Sequence, residues 1–258
     1  MTYRAVEVLS SAALVIAEDT RHSRRLLDHY RIATPLRSYH EHNEAKETPK
    51  LVARMQAGDS IALISDAGTP LISDPGSRLV SAAVEAGVKV VPVPGASAIM
   101  AALVGSGLSL ERFSFFGFLP RKGKARAEML GEIVASRSTA VIYESPNRVA
   151  GTLSELAASG ASERKAVVAR ELTKQFEEFR RGSVAELAAA YAEADPKGEV
   201  VLLVAGGDQR KPGEEDLAAA AEELRAAGKS ARDVMEHLVT VMGAPRNAAY
   251  RISHQSGS

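Results

Sequence analysis

Ile61-Ala62-Leu63-Ile64, followed by Ser65-Asp66-Ala67-Gly68-Thr69-Pro70, decides the fold. Four consecutive apolar residues without polar alternation read as a strand buried on both faces, as in a parallel sheet. The loop after them is small, polar and closed by proline. Leu14-Val15-Ile16-Ala17 before Glu18-Asp19-Thr20 shows the same arrangement upstream. Residues 88–93 before Pro94-Gly95-Ala96-Ser97-Ala98 show it downstream. Helices fill the intervals: residues 1–11, 22–30, a segment from Thr48-Pro49 to Gly58, one from Asp74-Pro75 to Gly87, and one from Ala98 to about residue 105. A Thr cap, a first-turn proline and a closing glycine mark the 48–58 helix. Residues 31–47 read as irregular. Strand, polar loop and helix in repetition predict an α/β fold with a parallel sheet.

The pattern changes near residues 107–112. Residues 113–119 read as an aromatic, partly alternating strand, followed by a basic loop and a helix over 123–135. Strand 139–144, helix 146–158, strand 166–171, helix 184–193 and strand 200–205 complete a second α/β unit. Residues 176–181 are placed to pair with 166–171, which makes this sheet mixed. Residues 206–213 read as a polar linker. Beyond them come only helices, 214–227, 230–242 and 245–253, the last two joined by Gly243-Ala244 like a helix-turn-helix pair. The expected divisions are an N-terminal α/β domain (1–110), a C-terminal α/β domain (111–206) with a cleft at their boundary, and a helical extension (207–258).

Composition narrows the function. The 258 residues are 45% hydrophobic and 25% charged, ordinary for a globular protein. Cysteine is absent, which excludes disulfides, thiolate zinc sites and cysteine nucleophiles. Charges balance at 32 Lys+Arg against 32 Asp+Glu, so overall attraction to nucleic acid is not expected, though a local basic patch remains open. No apolar run approaches the ~20 residues that cross a bilayer. The first residues lack the basic and apolar regions of a secretory leader.

Ligands of open α/β sheets bind beyond the C-terminal ends of strands. Three such ends carry the loops quoted above. Small residues there let backbone groups approach a ligand, and Pro70 and Pro94 stiffen the loops. Each loop taken singly is also an ordinary turn. None matches the phosphate-cradling or dinucleotide glycine patterns, so nucleoside triphosphates and dinucleotides are poor candidates.

Ala17-Glu18-Asp19-Thr20-Arg21-His22, Ser65-Asp66-Ala67-Gly68-Thr69-Pro70, Ser73-Asp74-Pro75-Gly76 and Val93-Pro94-Gly95-Ala96-Ser97-Ala98 occur in this order with Phe116-Gly117-Phe118-Leu119-Pro120-Arg121-Lys122, Tyr143-Glu144-Ser145-Pro146-Asn147-Arg148 and Ala169-Arg170-Glu171-Leu172-Thr173-Lys174. Together they resemble the ribosomal RNA small-subunit methyltransferase I family, a branch of the tetrapyrrole-methylase fold. The resemblance implies two α/β domains with S-adenosylmethionine between them and no metal. It implies transfer of a methyl group to the ribose 2′-oxygen of a cytidine in 16S rRNA of the small ribosomal subunit, by a cytoplasmic homodimer. It places Asp66, Ala67, Gly68 and Thr69 along the donor, with Pro94, Gly95, Ala96, Ser97 and Ala98 approaching from the next strand end. Family members open with a strand and a Gly-Asn-Leu-Gly-Asp type loop before the segment matched by residues 2–9. This chain begins at that helix, so an N-terminal sheet short of its first strand is expected.

Arg121, Lys122, Lys124 and Arg126 form a basic loop without an acidic residue, suited to phosphate contact. The phenylalanines of the strand before it are expected in the core. A ribose hydroxyl needs a proton acceptor to become a nucleophile. Glu18 and Asp19, beside Arg21, are the candidates, with Glu144 a third; the alternative for Asp19 and Arg21 is an ion pair that pins the loop. Competing functions are tetrapyrrole methylation, which needs neither a basic loop nor a helical tail, and an RNA-binding relic without catalysis.

Overall fold

The computed structural model describes residues 1–207, 214–242 and 244–254. The chain divides into two compact units, residues 1–206 and 207–258.

The first unit opens with α1 (Tyr3–Ser11), capped by the Thr2 hydroxyl, which accepts from the Ala5 N–H. Strand β1 (Leu14–Ala17) is buried along its whole length. Helix α2 (Thr20–His29) follows, then β2 (Leu36–Ser38), α3 (Glu44–Gln56) and β3 (Ile61–Ile64). The sheet order is β2-β1-β3, all parallel, with Val15 opposite Leu36 and Ala62. Leu14, Ile16, Tyr39, Leu51 and Leu79 form the core on one face; Leu9, Val15, Leu27 and Ile32 form it on the other. Helix α4 (Ser77–Glu85) follows Gly76. Glycine is required there: φ is 130°, and a Cβ would stand 2.6 Å from the Leu63 side chain.

Three expectations need correction here. Residues 31–47 are not wholly irregular: β2 lies within them, too short at three residues to show a period. Helix α3 starts a turn before Thr48, with Asn43 at its cap position. Thr48 is buried instead, its hydroxyl 2.8 Å from that of Tyr39, and Pro49 lies inside the helix. Residues 88–93 are not a strand. A strand exists only through its neighbour's ladder, and among the described residues none pairs with this segment; Val90 and Val91 are exposed.

Helix α5 (Ala98–Ser106) leads into the second sheet. Its strands are β4 (Phe113–Phe118), β5 (Thr139–Glu144), β6 (Lys165–Arg170), β7 (Glu178–Ser183) and β8 (Val200–Val204), ordered β4-β5-β8-β6-β7. β4 and β5 are parallel and the other pairings antiparallel, so the sheet is mixed, as expected. Helices α6 (Lys124–Ala135), α7 (Val149–Leu156, preceded by a 3₁₀ turn, Pro146–Arg148) and α8 (Val184–Tyr191) cover one face. Ile99, Ala102 and Leu103 of α5 cover part of the other.

The second unit holds α9 (Glu214–Ala226), α10 (Ala231–Thr240) and α11 (Arg246–His254) around Leu217, Ala221, Val234, Leu238 and Ile252. Ser230 and Asp233 form a capping box on α10. The polar linker expected over 206–213 falls largely, and Gly243 of the expected turn wholly, outside the described residues.

Candidate active site

The three loops meet, although the third follows an unpaired segment rather than a strand. The Asp19 N–H donates to Asp66 Oδ1 (3.4 Å), joining the first loop to the second. The Thr69 hydroxyl donates to the Ala96 carbonyl (2.9 Å), joining the second to the third. The Thr2 hydroxyl donates to the Pro94 carbonyl (3.5 Å). Asp66, Ala67, Gly68, Thr69, Pro94, Gly95 and Ala96 are exposed, while Ser97 and Ala98 are half-buried where Ser97 caps α5. A Cβ placed on Gly68 or Gly95 meets nothing within 4 Å, so these loops border open space. Small side chains, exposed backbone and convergence suit S-adenosylmethionine, whose adenosine and amino-acid ends need backbone donors and acceptors close by.

The Asp19 carboxylate has a local task. It caps α2, accepting from the backbone N–H of Arg21 (2.8 Å) and His22 (3.3 Å). Those two bonds, chiefly the one from Arg21, hold its pKa below the ordinary aspartate range. Arg21 lies 3.6 Å away with its side chain almost fully in solvent. A carboxylate stabilised as the anion is a poor proton acceptor, so of the two readings of Asp19 and Arg21 the geometry supports loop pinning.

Sequence reasoning read Asp74 only as a helix start. In the structure it is partly buried and within electrostatic reach of Glu18 and Asp66. Burial raises its pKa, and the charges of Glu18 and Asp66 raise it further. The turn before it is strained: Leu71 and Ser73 take φ values of 73° and 64°. The Ser73 hydroxyl lies 4.0 Å from where a Cβ on Gly117 of β4 would stand. The pKa of Tyr143 in β5 is raised first by burial and then by the Asp74 charge. The signal that pointed here was Ser73-Asp74-Pro75-Gly76, a motif in which helix-start chemistry hides a site residue.

The phenylalanines correct another expectation. Only Phe116 packs into the core; Phe113, Phe115 and Phe118 are exposed by 45%, 36% and 55%. Phe115 and Phe118 flank Tyr143, with ring centroids 4.9 and 5.6 Å away. Register shifts between Phe115 and Gly117, and Gly117 takes a φ of 63°. That bulge turns Phe118 to the same side as Phe115, which strict alternation would not do.

The basic loop also divides. Arg121, Lys122 and Lys124 are exposed; Lys124 is 3.6 Å from Glu128. Arg126 is not available to phosphates. It is 8% exposed and donates to Glu155 (2.7 Å), the Pro120 carbonyl (3.1 Å) and the Thr152 hydroxyl (2.9 Å). Glu144 is fully buried, held by Thr152 (2.7 Å), the Ser145 N–H (2.8 Å) and Arg148 (3.2 Å), and so is a structural carboxylate rather than a third acceptor.

Known proteins share this fold. The family model for Tetrapyrrole (Corrin/Porphyrin) Methylases matches residues 1–188. Among curated relatives, Ribosomal RNA small subunit methyltransferase I of Synechocystis sp. is 44% identical over 256 residues, 98% of this chain and 92% of the relative. The protein of the same name from Mesorhizobium japonicum is 45% identical over 97% of this chain and 85% of its own length. Among solved structures, diphthine synthase aligns with a TM-score of 0.61 at 15% identity, over 80% of this chain and 84% of that one. Uroporphyrin-III C-methyl transferase from Thermus thermophilus, complexed with S-adenyl homocysteine, aligns with a TM-score of 0.55 at 17% identity, over 80% and 90%. At these identities the structures show the fold alone. The curated relatives show the family: this chain is an S-adenosylmethionine-dependent methyltransferase of the tetrapyrrole-methylase fold and belongs to the ribosomal RNA small subunit methyltransferase I family.

Proposed function

We propose that the chain methylates the ribose 2′-oxygen of a cytidine in 16S rRNA, acting in the cytoplasm on the small ribosomal subunit as a homodimer. The observation that carries the RNA reading is the aromatic face of β4, solvent-exposed and continuous with the Arg121, Lys122 and Lys124 loop. Exposed rings beside cations are what an unstacked nucleotide needs: a surface for the base and charges for the phosphates. The names of the curated relatives support the same substrate class.

S-adenosylmethionine supplies a methyl group already activated on a sulfonium. The residues have three tasks. The loops at 66–69 and 94–98 hold the donor against backbone groups, tied by the Thr69–Ala96 hydrogen bond. The Phe115, Tyr143 and Phe118 rings orient the acceptor, and positioning supplies much of the rate in such a displacement. The proton of the 2′-hydroxyl passes to the carboxylate of Asp74, whose pKa is raised by burial and by the charges of Glu18 and Asp66.

The test is a choice of acceptors: labelled donor is offered with unmethylated small subunits or with a porphyrinoid. Label in RNA is the expected result, and label in the porphyrinoid overturns the proposal.

A further inference from the structure

A cavity of about 790 Å³ lies between the β4–α6 loop and the start of α7, lined among others by Phe118, Arg121, Ser145, Asn147, Arg148 and Gly151. Its floor is braced. Arg126 and Arg148 both donate to the Pro120 carbonyl, and Arg148 also to that of Leu119 (2.8 Å). Behind them, buried Glu144 holds Arg148 and Thr152, and Thr152 accepts from Arg126. Two arginines and the carboxylates of Glu144 and Glu155 thus fix the two loops on either side of the recess.

The groups left facing the recess are of a different kind. The Arg121 guanidinium, the Asn147 amide and the Ser145 hydroxyl have no side-chain partner among the described residues. Glu155, the acid at the rim, is already paired with Arg126. A free guanidinium suits a phosphodiester, a planar amide with donor and acceptor suits a base edge, and the exposed Phe118 ring suits a base face. The volume is within the range of small-ligand sites. The Phe118 ring also lies 5.6 Å, centroid to centroid, from that of Tyr143, so the recess adjoins the ring cluster proposed above to orient the acceptor.

Building on the RNA reading above, we infer that this recess is a second nucleotide subsite, which takes a residue of the RNA flanking the methylated one and reads it through Asn147. Specificity would then come from two seats, one at the rings beside Asp74 and one here.

Three variants test it: Asn147→Ala and Arg121→Ala, which remove exposed groups, and Gly151→Phe, which fills the recess. A Cβ at Gly151 meets nothing within 4 Å, so the backbone there has room for a side chain to start, and Tm reports whether the ring is accommodated. Methyl transfer to unmethylated small subunits is measured with donor affinity and Tm as controls. The expected result is a KM for subunits raised about tenfold in each variant, with kcat within about twofold and donor affinity and Tm unchanged, a fold-change typical of losing one specific base or phosphate contact. Unaltered KM in Asn147→Ala and Gly151→Phe, while the parent methylates subunits, overturns the subsite and leaves the RNA reading standing. Failure of the parent itself to methylate subunits overturns both.

Discussion

The Thr69 hydroxyl donates to the Ala96 carbonyl across 27 residues of sequence, at 2.9 Å. This bond ties the loop after β3 to a loop that no ladder positions, because residues 88–93 lie outside the sheet. Without it, the third loop is held to the second only by chain continuity and packing.

Thr69→Val keeps the shape of the side chain and removes the donor. The donor dissociation constant is expected to rise about fivefold, the weight of one hydrogen bond of roughly 1 kcal/mol, with Tm nearly unchanged because the residue is exposed. Calorimetric titration with S-adenosylmethionine measures it, and an unaltered constant contradicts the role.

Asp19 and Asp74 are expected to separate in kinetics. Asparagine caps helices as well as aspartate does, so Asp19→Asn should keep kcat within about threefold. Asp74→Asn removes a proton acceptor and should lower kcat about 100-fold. A large loss in the first variant and none in the second reverses the assignment.

The raised pKa of Asp74 also has a sign in stability. Its folded-state pKa lies above its unfolded value, so the folded state binds the proton more tightly. Folding is therefore favoured once pH falls below the unfolded value, and that contribution is lost as pH rises through the folded value. Asp74→Asn, which is neutral throughout, should raise Tm at neutral pH, and the gain should vanish below the ordinary aspartate range. Thermal melts from about pH 3 to about pH 8, which bracket that range, read this directly; a constant difference between the two proteins contradicts it.

The two classes of cation in the basic loop predict opposite phenotypes. Arg121→Ala and Lys122→Ala should weaken subunit binding and each flatten the dependence of log K on log salt by about one. Arg126→Ala should instead cost about 2 kcal/mol of stability, since it removes the buried donor to the Thr152 hydroxyl and one of the two donors to the Pro120 carbonyl. Filter binding at several salt concentrations, alongside Tm, distinguishes them.

Much of this was legible in the sequence, for reasons that can be named. Short uninterrupted apolar runs such as Leu14–Ala17, bounded by polar loops, read as covered strands, and the loops after them fall at one edge by topology. What escaped depended on neighbours. Residues 88–93 have the composition of a strand, but pairing is a property of two segments. Phe116 and Phe118 are alike in sequence; the bulge at Gly117 puts one inside and the other out. Arg126 and Arg121 belong to one basic run, and only the helical turn that faces Arg126 toward Thr152 and Glu155 separates structure from recognition. Asp74 shows as a site residue only once Glu18, Asp66 and Tyr143 stand around it.

The most direct measurement is nucleoside analysis of 16S rRNA after incubation of unmethylated small subunits with the protein and labelled S-adenosylmethionine. Label recovered in 2′-O-methylcytidine is the predicted result. Label recovered in a base-methylated nucleoside, or none in RNA while the donor is bound, would contradict ribose methylation as the function of this chain.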